Sequence, residues 1–271
     1  MNEFPTLYIF FFFKDTATTE IYTLLIINFS LLIPTAALAQ DERGRELFEK
    51  VDARRNQIKY ETSSMSMVIY DNRGRTRTRE ITSYNFAEGD IEKSLLYFEK
   101  PANVRGTGFL TLTEGSDEVQ KLYLPALGKI QTITAAQKGD RFMGSDFTYE
   151  DLGDQNPDDF DFELISEEGN IAKIRAEKTE ESKYAYQIFY VNTDTYLLDK
   201  AEYYNNQDEM VKRLEATNPV QVDGDIWRSN AMVMYDLKSG RKTELSWSDR
   251  SINQQIPDWR FTERALLRGS R

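Results

Sequence analysis

From Thr62 onward the chain alternates apolar and polar residues with a period of two, the repeat of a strand with one buried face. The runs fall at 62–70, 76–86, 93–99, 105–113, 118–124, 129–134, 163–167, 171–178, 184–192, 196–204, 210–216, 221–236 and 241–251. Between most of them lie Gly, Asn or Asp turns, such as Asp71-Asn72-Arg73-Gly74 and Glu114-Gly115-Ser116-Asp117. Pro125 and Gly128 suit the start and the left-handed position of a further turn. Ahead of the strands the period changes. Leu47, Phe48, Val51 and Ile58 form one helical stripe over 44–58 with Glu and Arg between them, predicting an amphipathic helix. After Ile256-Pro257-Asp258 a C-terminal helix or last strand is expected.

Such a pattern predicts a β-rich α+β fold: one open antiparallel barrel of about eleven, and at most thirteen, strands, with the N-terminal helix and a short helical or loop lid. A sheet that long must curl or close. Met65, Met67 and Ile69 share one strand face, as do Leu96 and Phe98, Leu110 and Leu112, Leu122 and Leu124, and Met232 and Met234. These eleven are the expected wall of an apolar cavity, because the chain supplies little helix to cover so large a concave face. Methionines there suit an adaptable binding surface. Core packing is the alternative at every one of these positions.

Composition narrows the chemistry. The 271 residues carry 34 Lys and Arg against 45 Asp and Glu, a net charge of −11, and contain neither His nor Cys. The acidic balance argues against binding a phosphate backbone, so no nucleic acid is expected. Without His the usual neutral-pH general base and the commonest metal ligand are gone. Without Cys there is no thiolate catalysis, zinc–thiolate site, disulfide or lipidated cysteine. No catalytic residue, cofactor or metal is expected. The densest basic run, Arg73-Gly-Arg75-Thr-Arg77-Thr-Arg79, fits a solvated edge or outer strand; an anionic lipid headgroup or partner is the other reading. Gly106-Thr107-Gly108 lacks the third glycine and the helix of a dinucleotide loop, and reads as strand glycine. Asp154-Gln155-Asn156-Pro157-Asp158 lacks the glycine and the spaced Glu of a calcium loop.

Residues 24–39 form an apolar run ending in Ala37-Leu38-Ala39, the pattern of a secretory signal cleaved after Ala39, with export to the periplasm. Residues 10–24 resemble translated sequencing-adapter read-through, and the run has only Lys14 as a basic residue before it. The expected organisation is therefore a signal at 1–39, its first 24 residues read as non-native, and one domain at 40–271.

The order of helix, LYFEKP at 96–101, Glu114-Gly115, LYLPALGKI at 122–130 and RFMGSDFTYEDLG at 141–153 resembles the outer-membrane lipoprotein-sorting (LolA-like) family. The resemblance implies a half-barrel closed by a lid over a cavity that shields acyl chains during periplasmic transit. Its implied partners are lipid or lipoprotein acyl chains and a membrane transporter or outer-membrane acceptor. In that family an Arg before the strand-end Pro latches the lid; here the position is Lys100, a looser latch because lysine lacks the guanidinium fork. Phe142, Met143, Phe147, Tyr149, Glu150 and Asp151 are then the expected lid or docking surface. A sensor or adaptor for a membrane-anchored partner is the alternative role.

Overall fold

A computed structural model describes residues 35–269 of the chain. The signal expected at 1–39 lies outside the described residues, except for the backbone of 35–39, which is continuous with the first helix, α1 (Thr35–Asn56). Thirteen antiparallel strands follow: β1 (Tyr60–Tyr70), β2 (Thr76–Glu88), β3 (Ile91–Lys100), β4 (Gly108–Glu114), β5 (Asp117–Leu124), β6 (Lys129–Thr132), β7 (Phe160–Glu168), β8 (Ile171–Lys178), β9 (Tyr186–Asn192), β10 (Leu198–Tyr204), β11 (Met210–Asp223), β12 (Ile226–Asp236) and β13 (Arg241–Ile252). A one-turn helix, α2 (Ala135–Lys138), and a C-terminal α3 (Glu263–Arg268) complete the chain.

All thirteen strands form one open sheet in the order β6-β5-β4-β3-β2-β1-β13-β12-β11-β10-β9-β8-β7. The chain thus meanders from the middle to one edge, crosses over, and meanders back from the other edge until β13 pairs with β1. The two edges, β6 and β7, are consecutive in sequence but unpaired. Residues 133–159 make the crossing between them.

The concave face holds the main core, including Met67, Ile69, Ile81, Phe98, Phe109, Phe142, Phe160, Ile174, Phe189 and Leu245, with Leu47 and Phe48 of α1 above it. Helix α1 lies on β7, β8 and β9, and Phe48 meets Phe162 and Phe189 at ring-centroid distances of 4.9 and 5.0 Å. Gly44 is what lets it sit that close: a Cβ there would come within 3.1 Å of the Leu164 backbone nitrogen.

A second core lies on the opposite, convex face of the first half-sheet. Phe86, Leu95, Tyr97 and Leu110 pack there against Ile256, Phe261 and Leu266 of the C-terminal segment. The Tyr97 hydroxyl donates to the Ala265 carbonyl at 2.5 Å. Two coverings explain why 95–98 reads Leu-Leu-Tyr-Phe without alternation: Leu96 and Phe98 face in, Leu95 and Tyr97 face out, and both faces are dry.

Several strand limits differ from the sequence reading. The strand expected at 105–113 begins at Gly108, because 101–106 is a turn closed by hydrogen bonds from Val104 and Arg105 to the Pro101 carbonyl and from Gly106 to Phe98. Gly106 is therefore a turn residue with φ +80°. The break expected at 217–220 is absent; β11 runs on to Asp223 and turns at Gly224. The arginine run occupies the exposed tip and the start of β2. Residues 76–79 pair with β1 alone because β3 is in register only from Glu80 onward, so the run lies on an edge segment as expected.

Gly108 packs beneath α3, where a Cβ would stand 2.7 Å from Leu266 Cδ2 and 3.2 Å from the Tyr97 ring. Leu266 is fully buried and has nowhere to yield. Gly108→Ala is therefore expected to destabilise the fold by about 1–3 kcal/mol, the cost of overpacking. Urea denaturation checks it, and the Gly108→Ala, Leu266→Ala double variant should show strong non-additivity.

Candidate ligand-binding site

Inward side chains of β1, β2, β3, β12 and β13 line a cavity of about 430 Å³ on the concave face. Phe48 and Val51 of α1, Leu152 of the crossing segment and Tyr196, Leu197 and Leu198 near the β9–β10 turn close it from above. Of the expected wall, Met65, Met67, Leu96 and Met232 line this space. Ile69, Phe98, Leu122 and Met234 lie on the same face but are buried in the solid core alongside it, and Leu124 packs at that core's margin. Leu110 and Leu112 are a correction: they belong to the convex core under the C-terminal segment. In β4 the inward residue is Phe109, which lines the cavity; parity in an apolar run cannot be read when both faces are covered. Sequence reasoning also missed Trp227, Leu245 and Trp247 on the wall. Leu245 and Trp247 carry a period-two signal.

One end of the cavity is polar. Glu61 stands between two arginines, Arg228 (Nε to Oε2, 3.4 Å) and Arg250, whose guanidinium Nη1 donates to Glu61 Oε1. Arg228 also donates to the carbonyls of Arg55 at 2.8 Å and Arg54 at 3.4 Å, the exposed backbone acceptors at the end of α1. A cation at a helix C-terminus satisfies those carbonyls and the macrodipole together. Arg228 therefore fastens the covering helix to the sheet. Nothing in the alternation around 226–236 marked it.

A second tether is the side chain of Arg55 itself. Arg55 Nη2 contacts Asp52 at 2.7 Å, Glu92 of β3 at 2.9 Å and Asp154 of the crossing segment at 2.5 Å, tying three chain segments to one guanidinium. These three carboxylates are grouped closely enough to ligate a cation, but Arg55 itself occupies that central place. Burial pushes the Asp52 and Glu92 carboxyls upward, with Arg55 opposing. The tether borders a smaller polar chamber of about 270 Å³ that shares Arg55, Glu61, Asn85, Ser94, Leu152 and Arg228 with the apolar cavity. The two spaces together make an amphiphilic site, oily along the sheet and polar under the end of α1.

The expected lid residues are drawn into the concave face. Phe142, Phe147, Tyr149 and Glu150 are buried, and Met143 and Asp151 are half-buried. Phe142 meets Phe109 at 4.9 Å and lines the cavity. Asp151 accepts from Lys212 at 2.9 Å and from the Tyr184 hydroxyl at 2.9 Å, and Glu150 accepts from Ser182 at 2.5 Å. The segment is a packed cover, and its carboxylates are committed to internal partners rather than offered as a docking surface. Lys100 is exposed at the far end of β3 and pairs with Glu80 of β2 at 2.8 Å. The latching contacts are made instead by Arg228 and Arg55.

A family model described only as "-like: Uncharacterized protein" matches residues 90–268. No curated protein matches the chain. Among solved structures, the chain is similar to a DUF1329 family protein from Desulfovibrio piger, at 27% identity and TM-score 0.79 over 84% of this chain and 99% of that one. It is equally similar to a putative outer membrane lipoprotein-sorting protein domain from Vibrio parahaemolyticus, at 28% identity, TM-score 0.79 and 84% and 99% coverage. A LolA superfamily protein from Nitrosomonas europaea shares the fold at 19% identity and TM-score 0.65, over 82% and 98% of the two chains. The resemblance seen in the sequence holds at the level of fold.

Two measurements test the tethers. Arg228→Ala leaves Glu61 with one partner and the α1 carbonyls bare, so stability should fall by about 3 kcal/mol. Amide exchange should lose protection over 47–56 first, with the β1–β13 pairing retained. For Glu92, the raised folded pKa means the folded chain holds its proton longer than the unfolded chain. That contribution is full below the ordinary glutamate value of about 4.3 and is lost as pH rises through the raised one. Urea midpoints taken from about pH 4 to 7 should therefore decline in the native chain relative to Glu92→Gln. Parallel curves would show that the cluster is uncoupled from folding.

Proposed function

From the premise that the chain belongs to the family whose model spans residues 90–268, and has the lipoprotein-sorting fold, we propose that it is a periplasmic carrier. It takes an acyl chain into the cavity beneath α1 and hands it to a membrane acceptor or transporter. The observation that supports this reading most is the cavity itself: about 430 Å³ lined by Met65, Met67, Leu96, Phe109 and Met232, with the polar chamber at one end. An acyl tail suits the first and a polar headgroup the second. No bond need be made or broken.

The volume bears on the cargo. A methylene takes roughly the 30 Å³ that a water occupies in the liquid, so the cavity holds one chain of about fourteen carbons. The three chains of a lipoprotein would need about three times that room, and α1 would have to move outward. At ~0.8 kcal/mol per buried methylene, one such chain carries about 11 kcal/mol of gross transfer energy. That is ample for capture, so release depends on an acceptor or on loosening the Arg228 and Arg55 tethers.

Native mass spectrometry of the purified chain, followed by lipid extraction, is expected to recover one acyl-bearing molecule per protein. Met232→Trp, at a half-buried wall position, should cut uptake of a fluorescent C16 fatty acid at least tenfold with the urea midpoint held. Recovery of lipid-free protein together with no fatty-acid uptake would overturn the carrier reading.

A further inference from the structure

The arginine run has no part in the cavity, and its setting in the fold gives it a different meaning. Strand order β3-β2-β1-β13-β12 brings three hairpin tips to one end of the sheet: 71–75, 101–107 and 237–240. The register fixes their neighbours, with Tyr70 opposite Thr76 and Lys242, Glu80 opposite Lys100, and Asp236 opposite Arg241. Arg73, Arg75, Arg77, Arg105 and Lys238 are all exposed there.

Asp208 and Glu209 on the adjoining 205–209 turn are exposed, while four carboxylates at this end are already used. Asp71 holds Arg75 at 2.6 Å, Glu80 holds Lys100 at 2.8 Å, and Asp146 and Asp236 hold Arg141, with Arg241 also on Asp146. Among the described residues no ion pair joins Arg73, Arg77 or Lys238 to a carboxylate. Arg79, directly opposite Met67 in the register, is 9% exposed, has an unpartnered Nη1 and lies over the Phe98 ring at 5.6 Å. The exposed row is therefore backed by a buried, uncompensated guanidinium. On a chain of net charge −11 this end stands out as positive.

The same end exposes Leu237, a large apolar residue 44% accessible beside Lys238 at the β12–β13 tip. Basic side chains flanking an exposed leucine on projecting turns match the interfacial zone of an anionic bilayer, where lysine and arginine meet phosphates and an apolar side chain enters the acyl boundary. An acidic protein partner would use the charges but gives the leucine no role. We propose that this end of the half-barrel, centred on Arg73, Arg77, Leu237 and Lys238, docks on the surface of a membrane rich in anionic phospholipid. The docking is distinct from cargo binding and does not rest on it.

Flotation of the full chain with vesicles tests the proposal, comparing pure phosphatidylcholine with an equal mixture of phosphatidylcholine and phosphatidylglycerol. Taking the ratio between them cancels any contribution of apolar segments. Tight binding to the anionic vesicles alone is expected, lost in about 0.5 M salt as surface charges are screened. Each removed charge should weaken it about fivefold, so Arg73→Gln, Arg77→Gln, Lys238→Gln together should cost about a hundredfold. Leu237→Ser should weaken binding while leaving its salt dependence intact. These side chains are exposed, so circular dichroism and fluorescent fatty-acid uptake of the variants should match the native chain. Equal binding to both vesicle types, or anionic binding that survives the triple substitution, overturns the proposal. So does failure to float with either vesicle, as a protein partner would produce.

Discussion

Everything in this molecule follows from the need to cover the concave face of a thirteen-stranded sheet that does not close. Its two edges, β6 and β7, are adjacent in sequence and would pair if the barrel were complete. Pairing would satisfy both rows of backbone groups and leave an interior filled by side chains alone. The chain instead spends residues 133–159 crossing from one edge to the other through the concave face. Phe142, Phe147 and Tyr149 fill part of the interior from within, and α1 covers the β7–β9 side. What is left between them is the cavity. It arises where two separate covers meet over one curved sheet, so its size depends on how α1 is held.

That hold is electrostatic as much as apolar. Leu47, Phe48 and Val51 give α1 its apolar contact, while its C-terminal end is fixed by Arg228 through backbone carbonyls and by Arg55 through three carboxylates. Partly buried ion pairs add little net stability compared with an apolar packing of the same volume, yet removing one partner is costly. They position a helix strongly while contributing little to the depth of its well. A cover held this way is kept in register by the geometry of its ion pairs.

The strand pattern of the sequence was read correctly in outline because period two survives wherever one face is wet. Met65, Met67 and Met232 were legible as cavity wall for that reason. Legibility failed where both faces are dry: Phe109 and Leu110 are apolar at successive positions, so Leu110 and Leu112 looked equivalent to Leu96 although α3 and Phe261 cover them from behind. It failed again for contacts set by distant segments. Arg228 looks like any strand arginine until the fold brings the last turn of α1 to it, and Lys100 was expected as the latch only because the resembled family carries an arginine at that position. Local sequence carries the face a residue points to, but the partner waiting there is supplied by topology.

The two polar regions lie at opposite ends of the same strands. The amphiphilic chamber borders Glu61 at the start of β1 and Arg228 at the start of β12, whereas the basic tips follow Tyr70 and Asp236 at their other ends. An eleven-residue strand spans roughly 35 Å at about 3.3 Å per residue. If the basic tips dock on a bilayer as proposed, the polar chamber lies toward the opposite ends of the same strands, so the division of charge along the strands assigns docking and the polar part of the site to different ends of the half-barrel.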